Sequence, residues 1–332
     1  MSAEIQNDIS SIIELLRCPV TGQPLTESDG CLVTADGGHR YRIEQGIPLM
    51  AEALLSDEAH RQQKHYAKIA ALYVANLHYP HTQEYMIYLD EALLKAVGSG
   101  ALGTSLELCC GHGEAAKLLT NRTERCIGID VSLDMLRKAK ELSPGVHAVF
   151  LQGDATRIPL AAATVDNVIM LGGVHHVTDR TTLFAEICRV LKPGGRFYFR
   201  EPLNDFVLWR ALRALIYRIA PALDQQTERP LRRAETVLAI EKAGMAPVYW
   251  RSHGLLGFCI FMNSDVLIFN RLFRFVPGIR YLVRAAAAFD EWCLSWRVVA
   301  GFGLQVVGVA EKPRSATGAN GIAGAVIANR QG

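Results

Sequence analysis

The residues best suited to chemistry lie in the middle of the 332-residue chain: Glu107, the bend Gly111-His112-Gly113, Asp130 and the pair His175-His176. The bend follows a short apolar run and precedes Glu114-Ala115-Ala116-Lys117-Leu118-Leu119, so a strand must turn into a helix there. Glycine at such a turn lets the backbone approach a nucleotide-sized ligand that a Cβ would hold off. Asp130 ends the next apolar run, where its two oxygens could accept both hydroxyls of a ribose. Glu107, just ahead of the bend, would repel a pyrophosphate and attract a positive charge. A dinucleotide site is the competing reading, with Ala116 as a variant third glycine, but it leaves Glu107 unexplained. Histidine titrates near neutrality, so His175 and His176 suit proton transfer from an acceptor; the pair could equally be structural.

These groups need a frame. Candidate strands fall at Ser105–Cys109, Cys126–Asp130, Ala148–Gln152, Val165–Leu171 and Arg196–Arg200, with two more at Val248–Ser252 and Gly303–Ala310. Helical stretches at Ala115–Thr120, Ser132–Glu141, Arg180–Leu191 and Arg233–Ala243 alternate with them. Regular alternation of short apolar strands with helices predicts an α/β fold, a parallel sheet covered on both faces. A nucleoside with a cationic end, bound beside an acid, describes S-adenosylmethionine, which is the cofactor expected.

The segments LELCCGHGE, IGIDVSLDMLRKAK, FLQGDATRIPLAAATVDNVIMLGGVHHV and EICRVLKPGGRFYFREP cover about a third of the chain. In that order and spacing they resemble a class I S-adenosylmethionine-dependent methyltransferase of the ubiquinone and menaquinone group. The resemblance implies a Rossmann-like seven-stranded sheet. It also implies that Glu107, Gly111 and Gly113 surround the methionine end and that Asp130 takes the ribose. Val131 and Met135 would flank the adenine, Asp154 and Ala155 would meet its edge, and Leu171 and Gly172 would line the methyl-donor pocket. Read singly, Asp154 could cap a turn and Met135 could be a core residue. Cys109-Cys110 departs from the family's usual Gly-Cys. In ubiquinone-type O-methyltransferases the stretch before the histidines carries acidic metal ligands; here Gly172 and Gly173 replace them, so no catalytic metal is expected.

The stretches LLRCPVTGQPL and HRYRIEQGIPLM resemble the small Trm112-like module, a relative of zinc ribbons. Turn signals every few residues from 12 to 50 predict a small β-rich unit. Tetrahedral zinc needs four nitrogen or sulfur ligands. Thr21 and Thr34 stand where cysteines belong, so Cys18, Cys31 and His39 lack a fourth partner and a metal-free module is expected. The predicted organisation is this module over 1–55, a helical lid segment over 56–100, broken near Tyr79-Pro80, a methyltransferase domain over 101–313, and a disordered tail over 314–332.

Composition excludes other classes. Half the residues are hydrophobic, 20% are charged and the net charge is +2, which is neither a disordered chain nor a broadly polyanion-binding one. No apolar run is long enough to span a membrane and no signal peptide is visible. Eight scattered cysteines read as reduced thiols, so a cytoplasmic location is expected. Two insertions, near 203–230 and 254–300, leave carboxyl ends of strands and should stand over the substrate as a lid. Tyr79, His81, Tyr85, Tyr88 and Glu201 are further candidates for the substrate pocket.

From 206 to 297, thirteen Lys/Arg residues face seven Asp/Glu, interleaved with aromatics. Such a mixture suits an amphipathic acceptor or peripheral contact with an anionic membrane; a lid with its own core face and a solvated basic face is the alternative. The expected function is methyl transfer to a small amphipathic metabolite such as a polyketide, quinone, isoprenoid or lipid intermediate. Nucleic acid is not expected as a partner, but an RNA base methyltransferase remains the alternative substrate class. A cofactor-binding activator of a partner protein is the non-enzymatic alternative.

Overall fold

The computed structural model describes residues 9–51, 60, 77–142, 148–219, 229–262 and 268–314. In its N-terminal part four short strands, β1 (Leu25–Ser28), β2 (Cys31–Thr34), β3 (Arg40–Glu44) and β4 (Ile47–Pro48), form an antiparallel meander. Left-handed residues at Asp29-Gly30 and Gln45-Gly46 make two of its turns, as expected for two-residue hairpin connections.

The central sheet contains β5 (Gly103–Leu108), β6 (Thr123–Asp130), β7 (Ala148–Gln152), β8 (Val165–Leu171), β9 (Leu191–Pro202), β10 (Ala246–His253) and β11 (Gln305–Glu311). Their order is β10-β11-β9-β8-β5-β6-β7. Six strands share one direction and β11 runs opposite to them. All seven predicted strands are present, β7 and β8 with the predicted ends. The order reverses between β5 and β8, and such a switch point opens a crevice at the carboxyl ends of the strands.

Helices α1 (Pro80–Val97), α2 (Glu114–Leu118), α3 (Leu133–Leu142), α4 (Arg180–Val190), α5 (Val207–Ile219), α6 (Arg233–Lys242), α7 (Leu256–Phe261) and α8 (Ile279–Leu294) complete the described chain. One face of the sheet, with Phe197 and Phe199, packs on Phe184 and Ile187 of α4 and Ile240 of α6. The other face, with Tyr198, Val307 and Val309, packs on Ala92, Leu93 and Val97 of α1. This double covering is what the near-continuous apolar strands demand.

The N-terminal meander is docked rather than tethered. Ile12, Leu16 and Leu32 share one core cluster with Leu106, Val168 and Phe184. Arg17 N–H donates to Pro159 O (2.9 Å), and Met50 N–H to Gln152 O (3.0 Å). Cys18 Sγ lies 3.0 Å from Tyr41 Oη and accepts weakly from Thr21 N–H (3.4 Å). Thr34 Oγ1 donates to Asp36 Oδ1 at 2.6 Å. The expected boundary at 55, the first helix of the 56–98 segment and the tail beyond 314 lie outside the described residues, as does 220–228 of the first insertion.

Candidate active site

The bend between β5 and α2 is built from backbone conformations that side chains resist. Gly111 has φ +50° and Gly113 φ +76°. A Cβ on Gly111 would sit 3.3 Å from Met135 Cε, and one on Gly113 would sit 3.3 Å from Phe150 Cζ. Gly113 is therefore a packing glycine turned toward β7. It does not line the cavity, contrary to its expected place at the methionine end. Cys109 also takes a positive φ of +50°. Such a conformation costs a non-glycine residue about 1 kcal/mol or more, which is a physical reason for the glycine that the resemblance leads one to expect there. Gly173 makes room for it, since a Cβ there would fall 2.7 Å from Cys109 Cβ.

Two carboxylates hold the bend. Glu107 Oε1 accepts from Ala115 N–H (2.8 Å) and Oε2 from Ala116 N–H (2.9 Å). It thus satisfies amides in the first turn of α2 that the helix itself leaves unpaired. Burial pushes its pKa up to about 8 against the pull of those amides. Asp130 Oδ2 accepts from Gly111 N–H and Oδ1 from Ser132 N–H, both at 2.8 Å. Burial raises its pKa while the amides oppose the rise. The Val131 amide adds to these two, so of the roughly four acceptor sites of the carboxylate about one is left for a further donor.

A cavity of about 450 Å³ opens at this point, where the sheet order reverses. Of the residues expected to bind the cofactor, Glu107, Gly111, Asp130, Val131, Met135, Asp154, Ala155, Leu171 and Gly172 line it. Asp154 Oδ1 accepts from both the amide (2.8 Å) and the hydroxyl (2.7 Å) of Thr156, the turn that the residue alone suggested.

His176 lines the cavity; His175 and Glu201 do not. Glu201 is fully buried behind the 173–176 turn. Its Oε1 accepts from Gly173 N–H and Val174 N–H (2.8 Å each), and Oε2 lies 2.8 Å from His175 Nδ1. Burial pushes the pKa of Glu201 up to about 7 against those amides. The His175 and His176 rings lie 3.9 Å apart, so Glu201 fixes His175 and His175 backs His176.

Tyr79, His81, Tyr85 and Tyr88 do not line the cavity either. They bind α1 to the second insertion. Tyr85 Oη donates to Asp290 Oδ2 (2.8 Å), Tyr88 Oη to Glu291 Oε1 (2.6 Å), and His81 Nε2 lies 2.6 Å from Asn270 Oδ1. Tyr79 stacks on His81 at 5.6 Å. Asp290 in turn accepts from Leu255, Gly257 and Phe258 amides at the start of α7. Helical spacing placed these side chains on one face of α1, but spacing does not say which partner that face meets.

Sequence reasoning gave His112 no role beyond the bend and missed Glu114, Arg157 and Thr178, all in the cavity wall. His112 and Glu114 were within reach: the residue between two binding glycines and the first residue of the following helix both border the ligand space. Arg200 was missed too. It is buried on β9 and pairs with Asp90 of α1 and Glu114, both at 2.5 Å.

The wall suits the expected cofactor. Glu114, Asp130, Asp154 and Asp179 outnumber Arg157 among its charged groups, which favours a cation. Val131, Met135, Ala155 and Leu171 provide an apolar surface for a base. Among the described residues His112 Nδ1 is buried without a hydrogen-bond partner, which suits it to a polar ligand group.

Comparison with known proteins agrees. Residues 106–199 match a family described as "Methyltransferase domain". Over 182 residues the chain is 30% identical to a demethylmenaquinone methyltransferase of Mycolicibacterium paratuberculosis, covering half of this chain and 77% of that one. The chain belongs to the S-adenosylmethionine-dependent methyltransferases. The methyltransferase is also 33% identical over 123 residues to a ubiquinone/menaquinone biosynthesis C-methyltransferase of Syntrophotalea carbinolica, covering 35% of this chain and 52% of that one. It spans about half the length of the first curated relatives it matches. Its fold is shared with a complex of the Trm112 methyltransferase activator and a methyltransferase from Haloferax volcanii. That match has a TM-score of 0.51 at 19% identity and covers 79% of this chain and all of that one. Among the described residues no helix is long and apolar enough to cross a membrane, and no group of three His, Cys, Asp or Glu side chains could hold a metal.

Proposed function

We propose that the protein transfers a methyl group from S-adenosylmethionine to a small lipophilic acceptor, in the class of quinone precursors. The observation that carries the proposal is Asp130: a buried carboxylate that orients the glycine bend through backbone amides and still lines the cavity, where it can accept from a ligand. The quinone methyltransferases among the relatives support the acceptor class.

When bound, S-adenosylmethionine supplies an electrophilic methyl group on a sulfonium. The chain's part is to orient and to exclude water. Asp130 would take the ribose hydroxyls, Val131 and Met135 would hold the base, and the acids of the wall would favour the positive end. His112 Nδ1 would donate to or accept from the cofactor's polar end. His176, held by the His175–Glu201 pair, would take a proton from the acceptor; the other members of that group position it.

Titration calorimetry of Asp130→Asn with S-adenosylmethionine tests the reading. Loss of one charge-assisted contact predicts affinity weaker by about 1.5–3 kcal/mol, roughly 10- to 150-fold. Affinity within threefold of the parent would remove Asp130 from the binding site.

A further inference from the structure

Helix α8 presents two apolar faces. Ile279, Val283, Ala287 and Leu294 point inward. The opposite side carries Tyr281 (75% exposed), Leu282, Phe289 and Trp292 (55%), and Trp296 (53%) continues the line just past the helix end. Trp292 and Trp296 touch edge to face at 5.0 Å, and Phe289 lies 5.8 Å from Trp292. Leu272 and Phe275 are exposed in the neighbouring segment, 62% and 69%. A soluble monomer seldom shows so many large apolar side chains together unless they bind something.

The charge at this surface is one-sided. Between 268 and 302 the chain has Arg271, Arg274, Arg280, Arg284 and Arg297 against Asp290 and Glu291. Both acids turn inward, Asp290 to the start of α7 and Glu291 to Tyr88, His253 and Arg251. Arg280 and Arg284 share the single buried Glu84, which leaves an excess of positive charge. Arg274 lies over the Phe275 ring at 4.6 Å.

We infer that this surface docks on an anionic phospholipid bilayer, with Tyr281, Phe289, Trp292 and Trp296 entering the headgroup boundary and the arginines pairing with lipid phosphates. Aromatic side chains beside arginines on a helix lying flat fit that interface. A second copy of the chain fits less well, because it would bring two arginine-rich rims together. The inference does not rest on methyl transfer: vesicle binding is read without cofactor or acceptor.

The experiment is sedimentation of the full chain with vesicles of phosphatidylcholine alone and of equimolar phosphatidylcholine and phosphatidylglycerol. Binding is expected to the anionic vesicles, weaker at high salt, with a blue shift of tryptophan emission. That shift comes from Trp292 and Trp296, since Trp209 is already buried and Trp250 packs on Phe199. The double variant Trp292→Ser, Trp296→Ser should weaken partitioning about tenfold or more. Arg274→Glu should weaken it about tenfold with less salt dependence; it decides the matter should the double variant melt early. Absence of the parent from both vesicle pellets overturns the inference. So does a dimer, seen by light scattering, that Trp292→Ser dissolves while vesicle binding is missing.

Discussion

Replacing Arg200 with methionine removes the charge but keeps the length and apolar stem of the side chain. In the parent Arg200 is 5% exposed and its guanidinium bridges Asp90 on α1 to Glu114 on α2, at 2.5 Å each. Burial raises the Asp90 pKa, and the Arg200 charge opposes that rise. Without Arg200, two carboxylates face each other across a wall of low polarity. Breaking a fully buried pair costs about 3–5 kcal/mol; both acids here are about a quarter exposed, so water recovers part, and we expect about 2–3 kcal/mol. For a domain of this size that is a fall in Tm of roughly 4–12 °C.

The sign with pH is fixed. In the variant the Asp90 carboxyl, raised by burial, loses the Arg200 charge that opposed the rise and holds its proton more tightly folded than unfolded, so stability rises as pH falls. The gap between parent and variant should therefore narrow from pH 7.5 to pH 5. Thermal melts across that range measure it, and adding Asp90→Asn with Glu114→Gln to the variant should restore part of the loss at pH 7.5. Parallel pH curves for parent and variant, or no recovery in the triple variant, would refute the argument that the charges rather than the volume of Arg200 matter.

Two other perturbations probe the turn behind the cavity and the glycine bend. Glu201→Gln keeps the acceptor for the Gly173 and Val174 amides but cannot ionise. The parent carboxyl binds its proton more tightly folded, with a pKa near 7, than unfolded. The stability it lends is complete below the ordinary carboxylate range and lost as pH rises through 7, so parent melts should fall between pH 6 and 8 more steeply than those of the variant. Gly111→Val asks a branched side chain to adopt φ +50° and to press on Met135. It should weaken cofactor affinity at least tenfold in calorimetry and cost about 1–3 kcal/mol of stability in urea unfolding.

How much of this was legible in the sequence follows from what local pattern encodes. β7 and β8 were read to the residue because each is an apolar run bounded by turn residues, and their burial on both faces is written in composition alone. The glycine bend was legible because only a few residue types tolerate its backbone. β9 was read short at its N-terminal end: Leu191-Lys-Pro-Gly-Gly looks like a loop, yet Leu191 pairs with Val165 and the strand runs to Pro202.

The expected site residues that lie away from the cavity share a cause. Gly113 and Glu201 have the right chemistry in the right neighbourhood, but backbone or side chain is consumed by contacts inside the fold, with Phe150 and with the 173–176 turn, whereas Glu107 lines the cavity and holds the first amides of α2 as well. Tyr85 and Tyr88 meet Asp290 and Glu291, about 200 positions later in the chain, through an insertion whose path no periodicity predicts. Residue type tells what a group can do. Whether it is free to do it depends on partners distant in sequence, and so Asp130, which holds the bend through backbone amides yet still faces the cavity, is the acid on which binding turns.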